Sequence, residues 1–586
     1  MGLGYETAGI QQYSPYKSEV VSIGRGELER LRWKANYYES QFNIKKKKIA
    51  GVISKCRDLK AARKRLWQRL FGRKSESGKC GNNGSASGGK RGKQAGQEGS
   101  GRKTEGQLET TTETTDLPID KCKCPKCGLS YEPLEETADS EVIEVEVKAH
   151  RRIIKRHRYK KTCQCPKVPV IITAPGVPKI IPKGKFGITF WVYVLLRKFC
   201  FQQPLNRVVQ ELKLINLKVS AGTVIGGFVR IETLMSPIYK AIEERNKSEH
   251  HWHADETRWM VFEQVEGKTG YRWYLWIFHS ETTVFFKAAP TRGAKVVKEH
   301  YGNSWGVLNV DRYSSYKTLL GTGCFLLAYC WAHLRRDFLE VEVGYKQFSV
   351  WAQAWVIRID NLFHVNKLRL SYQEGSIERT ECQSELEKQM GQFKEKLEQE
   401  LKDFAEEIPS ARRKVLESLK NHWYGYTLFV QFPWIPMDNN RAERGARDPA
   451  VGRKMYYGSG SADSALFSAE MFTVLSTLEL WGLNPSLWLT AYLEACAKHK
   501  GKPPKNLKSF LPWEMSSRRF RQLGGTQRLG SYAAITKEQI QCATVDEIFL
   551  KKKSRPSGKS LAKENIVPPF HKKYAGSSIG SSPMAG

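Results

Sequence analysis

Acidic residues are scarce in this chain: 60 Asp and Glu stand against 95 Lys and Arg, a formal net charge of +35 over 586 residues. That surplus far exceeds what solubility needs and points to a polyanionic partner, nucleic acid or an anionic membrane. Long apolar runs are also missing. Stretches such as Tyr271–Phe278 and Ile188–Leu196 fall far short of the ~20 residues a spanning helix requires. The first residues do not have the basic-then-apolar layout of an export signal, so export is not expected. With membranes set aside, DNA or RNA in the cytosol remains. Thirteen cysteines in a reducing compartment suggest metal ligands and buried thiols rather than a disulfide framework. What is present, 40% hydrophobic residues with 16 Trp, suffices for a substantial core, and the length is several domains' worth.

The order along the chain is uneven. Residues 1–24 read as a disordered tail. Residues 25–74 read as a basic amphipathic or coiled-coil helix, with thirteen Lys/Arg against one Asp between Lys45 and Lys74. Leu59, Leu66, Trp67, Leu70 and Phe71 interrupt that charge, which favours a DNA-backbone or self-association helix over a merely solvated face. Residues 75–116 are a Gly/Ser/Lys/Thr linker. Within it Gly84 to Lys90 has phosphate-loop spacing, but Arg91 stands where Ser or Thr is required, so the match is by chance.

Residues 117–170 carry Cys122, Cys124 and Cys127, then Cys163 and Cys165. Cys124-Pro-Lys-Cys127-Gly128 is a knuckle spacing that aims two thiolates at one ion, and Cys163-x-Cys165 would complete a four-thiolate zinc site of zinc-ribbon type. Cys122 is a competing first ligand, and free thiols are the alternative. Between the pairs, Arg151, Arg152, Arg156 and Arg158 lie on a strand-like run suited to phosphates. Residues 171–248 read as a helical domain. Leu205–Leu214 and a second helix capped by Ser220 have helix-turn-helix spacing, which plain packing shares.

From 249 to 345 strands dominate: 257–262, 271–278, 283–288 and 306–310, with a helix near 293–300. Residues 346–435 are helical; Leu386, Met390, Phe393, Leu397, Leu401 and Phe404 step by three or four. Residues 436–460 follow as a short segment carrying Glu443, 461–535 as a helical element and 536–586 as a basic disordered tail. Three carboxylates stand out. Asp255 heads a β-rich run, Asp311 ends an apolar strand, and Glu443 sits in the first turn of a helix that Asp438 or Asn439 would cap. Hard divalent cations take such oxygens, and a pair of them clamps the two ends of a phosphodiester displacement.

At these residues the chain resembles the insertion-sequence 66 family of DDE transposases. Tyr329-Cys-Trp-Ala-His-Leu-Arg-Arg336 is similar to its CWAHxRR strand and helix start, and Asp438-Asn-Asn-Arg-Ala-Glu-Arg444 with Gly452-Arg-Lys454 to its glutamate segment. Arg65–Ser75 is similar to its amino-terminal box, and Leu483-Asn-Pro485 with Trp488-Leu489 to its carboxy-terminal element, so the likeness runs from about residue 25 to 525. The resemblance implies an α/β multidomain chain whose RNase H-like core is split by the helical stretch.

It further implies Asp255, Asp311 and Glu443 holding two Mg (or Mn) ions; the one Zn is expected from the cysteine spacing alone. Cleavage at element ends would free a 3′-hydroxyl, which then attacks target DNA. His333, Arg335, Arg336, Arg453 and Lys454 would position phosphate, and Lys64, Arg65, Arg69 and Arg73 would join the 151–158 arginines in binding DNA. Expected partners are double-stranded DNA, further copies of the chain on it and element-encoded accessory proteins. The expected location is the bacterial cytoplasm, at the nucleoid. A zinc-containing DNA-binding regulator and a nuclease that cleaves without joining are the alternatives.

Overall fold

The computed structural model describes residues 24–71, 122–132 without Cys124, 145–264, 266, 270–404, 411–529 and a few single positions. The expectations for the 1–23 tail, the 75–116 linker, Cys124, Arg73 and the last tail lie outside the described residues. Two compact units divide at Arg152.

In the first unit, α1 (Arg25–Phe71) is one unbroken helix of 47 residues, ~70 Å at 1.5 Å per residue. Trp33, Tyr38, Phe42, Leu59, Leu66 and Trp67 are exposed along it. Further on, a bridge between Lys123 and Ser130 and a Tyr131 N–H bond to Cys122 O at 2.8 Å close a tight turn. Gly128 lies in that turn at φ +77°, where a side chain would be strained.

The second unit opens with a small antiparallel pair, β1 (Arg158–Lys160) and β2 (Ile171–Thr173), with Cys163 and Cys165 on the connection. Helices α2 (Ile188–Leu195), α3 (Leu205–Leu214) and α4 (Ala221–Lys247) follow. Ser220 caps α4 as expected, its Oγ accepting from Thr223 N at 3.2 Å. The helix runs well past Leu234 because Met235, Ile238 and Ile242 continue the buried stripe.

The centre is a mixed sheet ordered β5-β4-β3-β6-β7. Strands β3 (His251–Val261), β4 (Arg272–His279) and β5 (Val284–Ala289) form an antiparallel meander. Helix α5 (Ala294–Tyr301) leads to β6 (Gly306–Val310), parallel to β3; after α6 (Ser314–Lys317) comes β7 (Phe325–Tyr329), parallel to β6. β3 starts six residues earlier than its composition suggested. β6 pairs with His251–His253 on one edge and β4 with His253–Met260 on the other, so ladder bonds extend the strand beyond its β-branched run.

Helix α7 (Trp331–Gly344) leads into four further helices: α8 (Ser349–Ser371), α9 (Ile377–Asp403), α10 (Ala411–Asn421) and α11 (Trp423–Gln431). The chain then returns through α12 (Asn440–Gly445), α13 (Arg447–Tyr456) and β8 (Gly458–Ser459), which pairs with the far end of β3. Helices α14 (Ala462–Leu480), α15 (Pro485–Lys498) and α16 (Ser517–Gln522) finish the described fold.

Strand alternation sorts the two sheet faces. Trp259, Val261, Leu275 and Ile277 pack with α2, α4, α14 and α15 in one core. Trp252, Ala254, Trp276, Phe278, Leu308 and Val310 pack with α5, α7 and the 349–431 helices in the other, where Leu386, Met390, Phe393 and Leu397 are buried as their spacing foretold. The 188–247 and 462–523 segments therefore share a single core, although more than two hundred residues separate them. Among the described residues no helix is long and apolar enough to cross a membrane.

Candidate active site

Asp255 is the fifth residue of β3, in mid-strand rather than at its head. Its Oδ1 accepts the Glu256 N–H at 2.9 Å. Asp311 lies one residue past β6, its Oδ1 accepting from Tyr313 N at 2.8 Å. By strand parity, Asp255 and the Asn309–Asp311 pair point to one face of the sheet. Glu443 is the fourth residue of α12.

Among these three acids, Asp255 has a displaced proton affinity. The Asp255 carboxyl is raised to about 8, first by burial and then by the carboxylates of Glu256, Asp311 and Glu443, against the lowering effect of its backbone bond. Glu443 has one ion-pair neighbour among the described residues, His333, with Nε2 3.6 Å from Oε1. Neither Arg444 nor Arg447 pairs with it, and its Oε1 is buried without a hydrogen-bond partner.

The α12 entry differs from the sequence expectation. Asp438 performs the local turn, Oδ1 accepting from Asn440 N at 3.1 Å and Oδ2 from Asn440 Nδ2 at 2.6 Å. Asn439, at the cap position, makes no side-chain cap. Its amide turns inward, Nδ2 donating to Ala254 O at 2.8 Å and Oδ1 facing His253 Nδ1 at 3.1 Å.

The basic residues divide. His333 lies beside Glu443, its ring held below the usual histidine range by burial, with Glu443 opposing that shift. Its Nδ1 is buried without a hydrogen-bond partner. Arg335 is engaged elsewhere: Nε and Nη2 donate to Asp360 at 2.7 and 3.2 Å, tying α7 to α8. Arg453 donates to Thr257 Oγ1 at 2.7 Å and Arg258 O at 3.1 Å, so it braces β3 two residues from Asp255. Lys454 is exposed and Arg336 half-buried. Lys64, Arg151, Arg152, Arg156 and Arg158 are exposed and Arg65 half-buried; Arg69 is on α1. Arg156 Nε donates to Ala174 O at 2.7 Å, staying at the surface. Cys127, Cys163 and Cys165 are all exposed. The Cys163 thiol is lowered from its usual range, chiefly by the backbone and thiol of Cys165.

Sequence reasoning missed a second set of residues here. Glu256 is gripped by Arg292 (Nε at 2.7 Å) and by Tyr316 Oη at 2.6 Å, and Arg292 lies 3.8 Å from the centre of the Tyr313 ring. That cluster clamps the turn after Asp311 onto β3. Cys330 was singled out only as part of a motif. With His333 and Glu443 it forms the set of three His, Cys, Asp or Glu donors that lie within 4.8 Å of one another among the described residues. Burial pushes its thiol up to about 11.

The donor set suits divalent cations. Asp255, Asp311 and Glu443 are each half-buried, the first holds its proton abnormally tightly, and the last has an oxygen with no partner. The donor set that lies within 4.8 Å includes Glu443 but neither Asp255 nor Asp311.

The family described as "Transposase IS66 family" matches residues 183–466, a span that contains Asp255, Asp311 and Glu443. This segment is an IS66-family transposase domain. The match covers both parts of the sheet, the intervening helices and the first residues of α14, so the helical stretch is integral to the IS66 domain. Curated relatives come from Sinorhizobium fredii (strain NBRC 101917 / NGR234). Uncharacterized protein y4hP is 26% identical over 422 residues, covering 68% of this chain and 74% of that protein. Uncharacterized protein y4jD is 24% identical over 408 residues, covering 67% and 77%.

Proposed function

We propose that this IS66-family chain is a DDE-type DNA transposase, cutting phosphodiesters at the ends of its element and joining the freed 3′-hydroxyl to target DNA. The observation that carries the reading is the placement of Asp255, Asp311 and Glu443 on β3, at the end of β6 and on α12, close enough that Asp311 and Glu443 both raise the Asp255 carboxyl. The strand order, an antiparallel meander joined to two parallel strands, supports an RNase H-like core. Divalent cations held by the three carboxylates would supply Lewis-acid activation of the attacking and leaving oxygens.

The protein's own residues do the rest. The strands fix two carboxylates on a rigid frame, and Glu443 approaches from the covering helix. His333, beside Glu443, is a neutral imidazole able to accept a proton or a hydrogen bond from a water or hydroxyl. Lys454 and Arg336 meet the phosphate backbone, whereas Arg453 and Arg335 hold β3 and α7 in place. The basic α1 and the 151–158 arginines would supply sequence-independent DNA affinity.

The test is a labelled duplex carrying the inverted repeats that flank the gene, incubated with Mg2+ and a target plasmid. Metal-dependent cleavage followed by joining supports the transposase. Cleavage without joining would mean a nuclease, and binding without cleavage a regulator.

A further inference from the structure

We propose that Asn309 and Asn439, each paired with a buried histidine, are positioning residues that set Glu443 against Asp255 and Asp311; this rests on the carboxylate reading above. The problem they solve is topological. Between β6 and α12 the chain travels through α6 to α11, so covalent connection does nothing to bring Glu443 back to the strands. Something must lock the returning segment in register.

The lock lies on the same sheet face, directly below the acids. Asn309 and His253 are register partners on β6 and β3, and each is two residues before its acid. Asn309 Nδ2 donates to Pro436 O at 2.8 Å and to Asp438 O at 3.2 Å, while its Oδ1 lies 2.9 Å from His251 Nε2. Asn439 answers from the other side, reaching Ala254 O and His253 Nδ1 on β3. Its backbone N–H also donates to Cys330 Sγ at 3.2 Å, and its backbone O accepts from Glu443 N at 3.2 Å. The strands thus bond to the segment leading into α12, and that segment bonds to the residue beside Asp255. His253 and both asparagines are at most 1% exposed, and His251 is 8% exposed. Displaced bonds there would find no water in exchange.

The geometry also fixes which nitrogens carry protons. A carbonyl only accepts, so each asparagine must turn its NH2 toward backbone and its oxygen toward histidine. His253 is therefore protonated on Nδ1 and His251 on Nε2. An asparagine side chain presents its amide nitrogen near the Nδ1 position and a glutamine near Nε2. The two histidines should consequently accept opposite replacements.

The experiment is a titration of the full-length chain with Mn2+, read by EPR, with thermal midpoints measured in parallel. Asn309→Ala and Asn439→Ala are each expected to weaken Mn2+ binding by about tenfold or more, the usual effect of losing a residue that orients a metal ligand. His253→Asn and His251→Gln should retain near-normal affinity, whereas His253→Gln and His251→Asn should lose it. If the asparagine variants fail to fold, the crossed histidine pattern decides. A lowered thermal midpoint with unaltered Mn2+ affinity, or equal behaviour of the Asn and Gln replacements at both histidines, overturns the proposal. Asp255→Asn runs alongside: wild-type Mn2+ binding in that variant refutes the carboxylate reading itself. Loss there with normal binding in the asparagine variants refutes positioning alone.

Discussion

Asp255 and Glu256 are consecutive, yet they stand on opposite faces of β3 and do different work. Asp255 turns toward the α12 side with Asp311 and Glu443, while the Glu256 side chain is 1% exposed and bound by Arg292 and Tyr316. Successive strand side chains alternate, so the two carboxylates have different bonding partners even though the Glu256 charge raises the Asp255 carboxyl. Asp255→Asn is expected to abolish strand cleavage and joining while leaving end binding intact. Asp311→Asn and Glu443→Gln should match it, each losing several kcal/mol of transition-state stabilisation and hence orders of magnitude in rate. Glu256→Gln should instead lower stability by about 1–3 kcal/mol by weakening the bonds of the buried Glu256 carboxylate to Arg292 and Tyr316, with cleavage kept at temperatures where the variant is folded. Gel-based cleavage rates beside thermal melts separate the two. Near-normal cleavage by Asp311→Asn would sink the assignment.

The raised Asp255 carboxyl carries a pH signature with a defined sign. Its folded value is about 8, whereas an unfolded Asp lies near ~3.9, so between those values the folded state holds a proton the unfolded chain has released. Without added divalent metal, stability should therefore fall as pH rises from about 4 to about 8. The loss is at most a few kcal/mol, because neighbouring acids share the titration. Asp255→Asn should remove most of that slope. Mg2+ or Mn2+ should stabilise the wild type progressively more toward pH 8, since the ligand must be deprotonated to bind. Thermal midpoints against pH, with and without Mn2+, test both statements. A wild-type slope unchanged in the variant would assign the titration elsewhere.

Much of this was legible in the sequence because the signals are local. The step of three and four through Leu386, Met390, Phe393 and Leu397 foretold the buried face of α9, and Ser220 foretold the start of α4. The apolar run Val307–Val310 foretold β6, which delivers Asp311. Non-local facts were hidden. Asn439 looks like a helix cap from its neighbours, and only folding reveals its partners 185 and 186 residues away. Arg335 belongs to a motif suggestive of phosphate, yet Asp360, 25 residues on, engages it. The early start of β3 depends on pairing with β6, which no window around residue 251 contains.

Zinc on Cys124, Cys127, Cys163 and Cys165 remains a proposal made from spacing. Gly128 takes a left-handed φ just after Cys127, and Cys163 and Cys165 lie on the β1–β2 connection. Elemental analysis of the purified chain should find one zinc per molecule, lost in Cys163→Ser. Retention in Cys124→Ser but loss in Cys122→Ser would move the first ligand to Cys122. Absence of zinc from the wild type, after purification without chelator, would reduce these residues to free thiols.

The last prediction concerns α1. Between Lys45 and Lys74 the sequence holds thirteen basic residues and one acid, and the described side chains along that stretch are mostly exposed. Such a helix can meet phosphates directly, and each phosphate neutralised contributes roughly −0.9 to the slope of log affinity against log salt. Deleting residues 1–116 should weaken DNA binding and flatten that slope by several units, about one for each phosphate left without its cation. Mn2+ binding at Asp255, Asp311 and Glu443 should be unchanged, because those ligands belong to the other compact unit. Fluorescence anisotropy of a labelled duplex across a salt series gives the slope. An identical affinity and slope in the truncated protein would show that the charge on α1 only keeps the helix solvated.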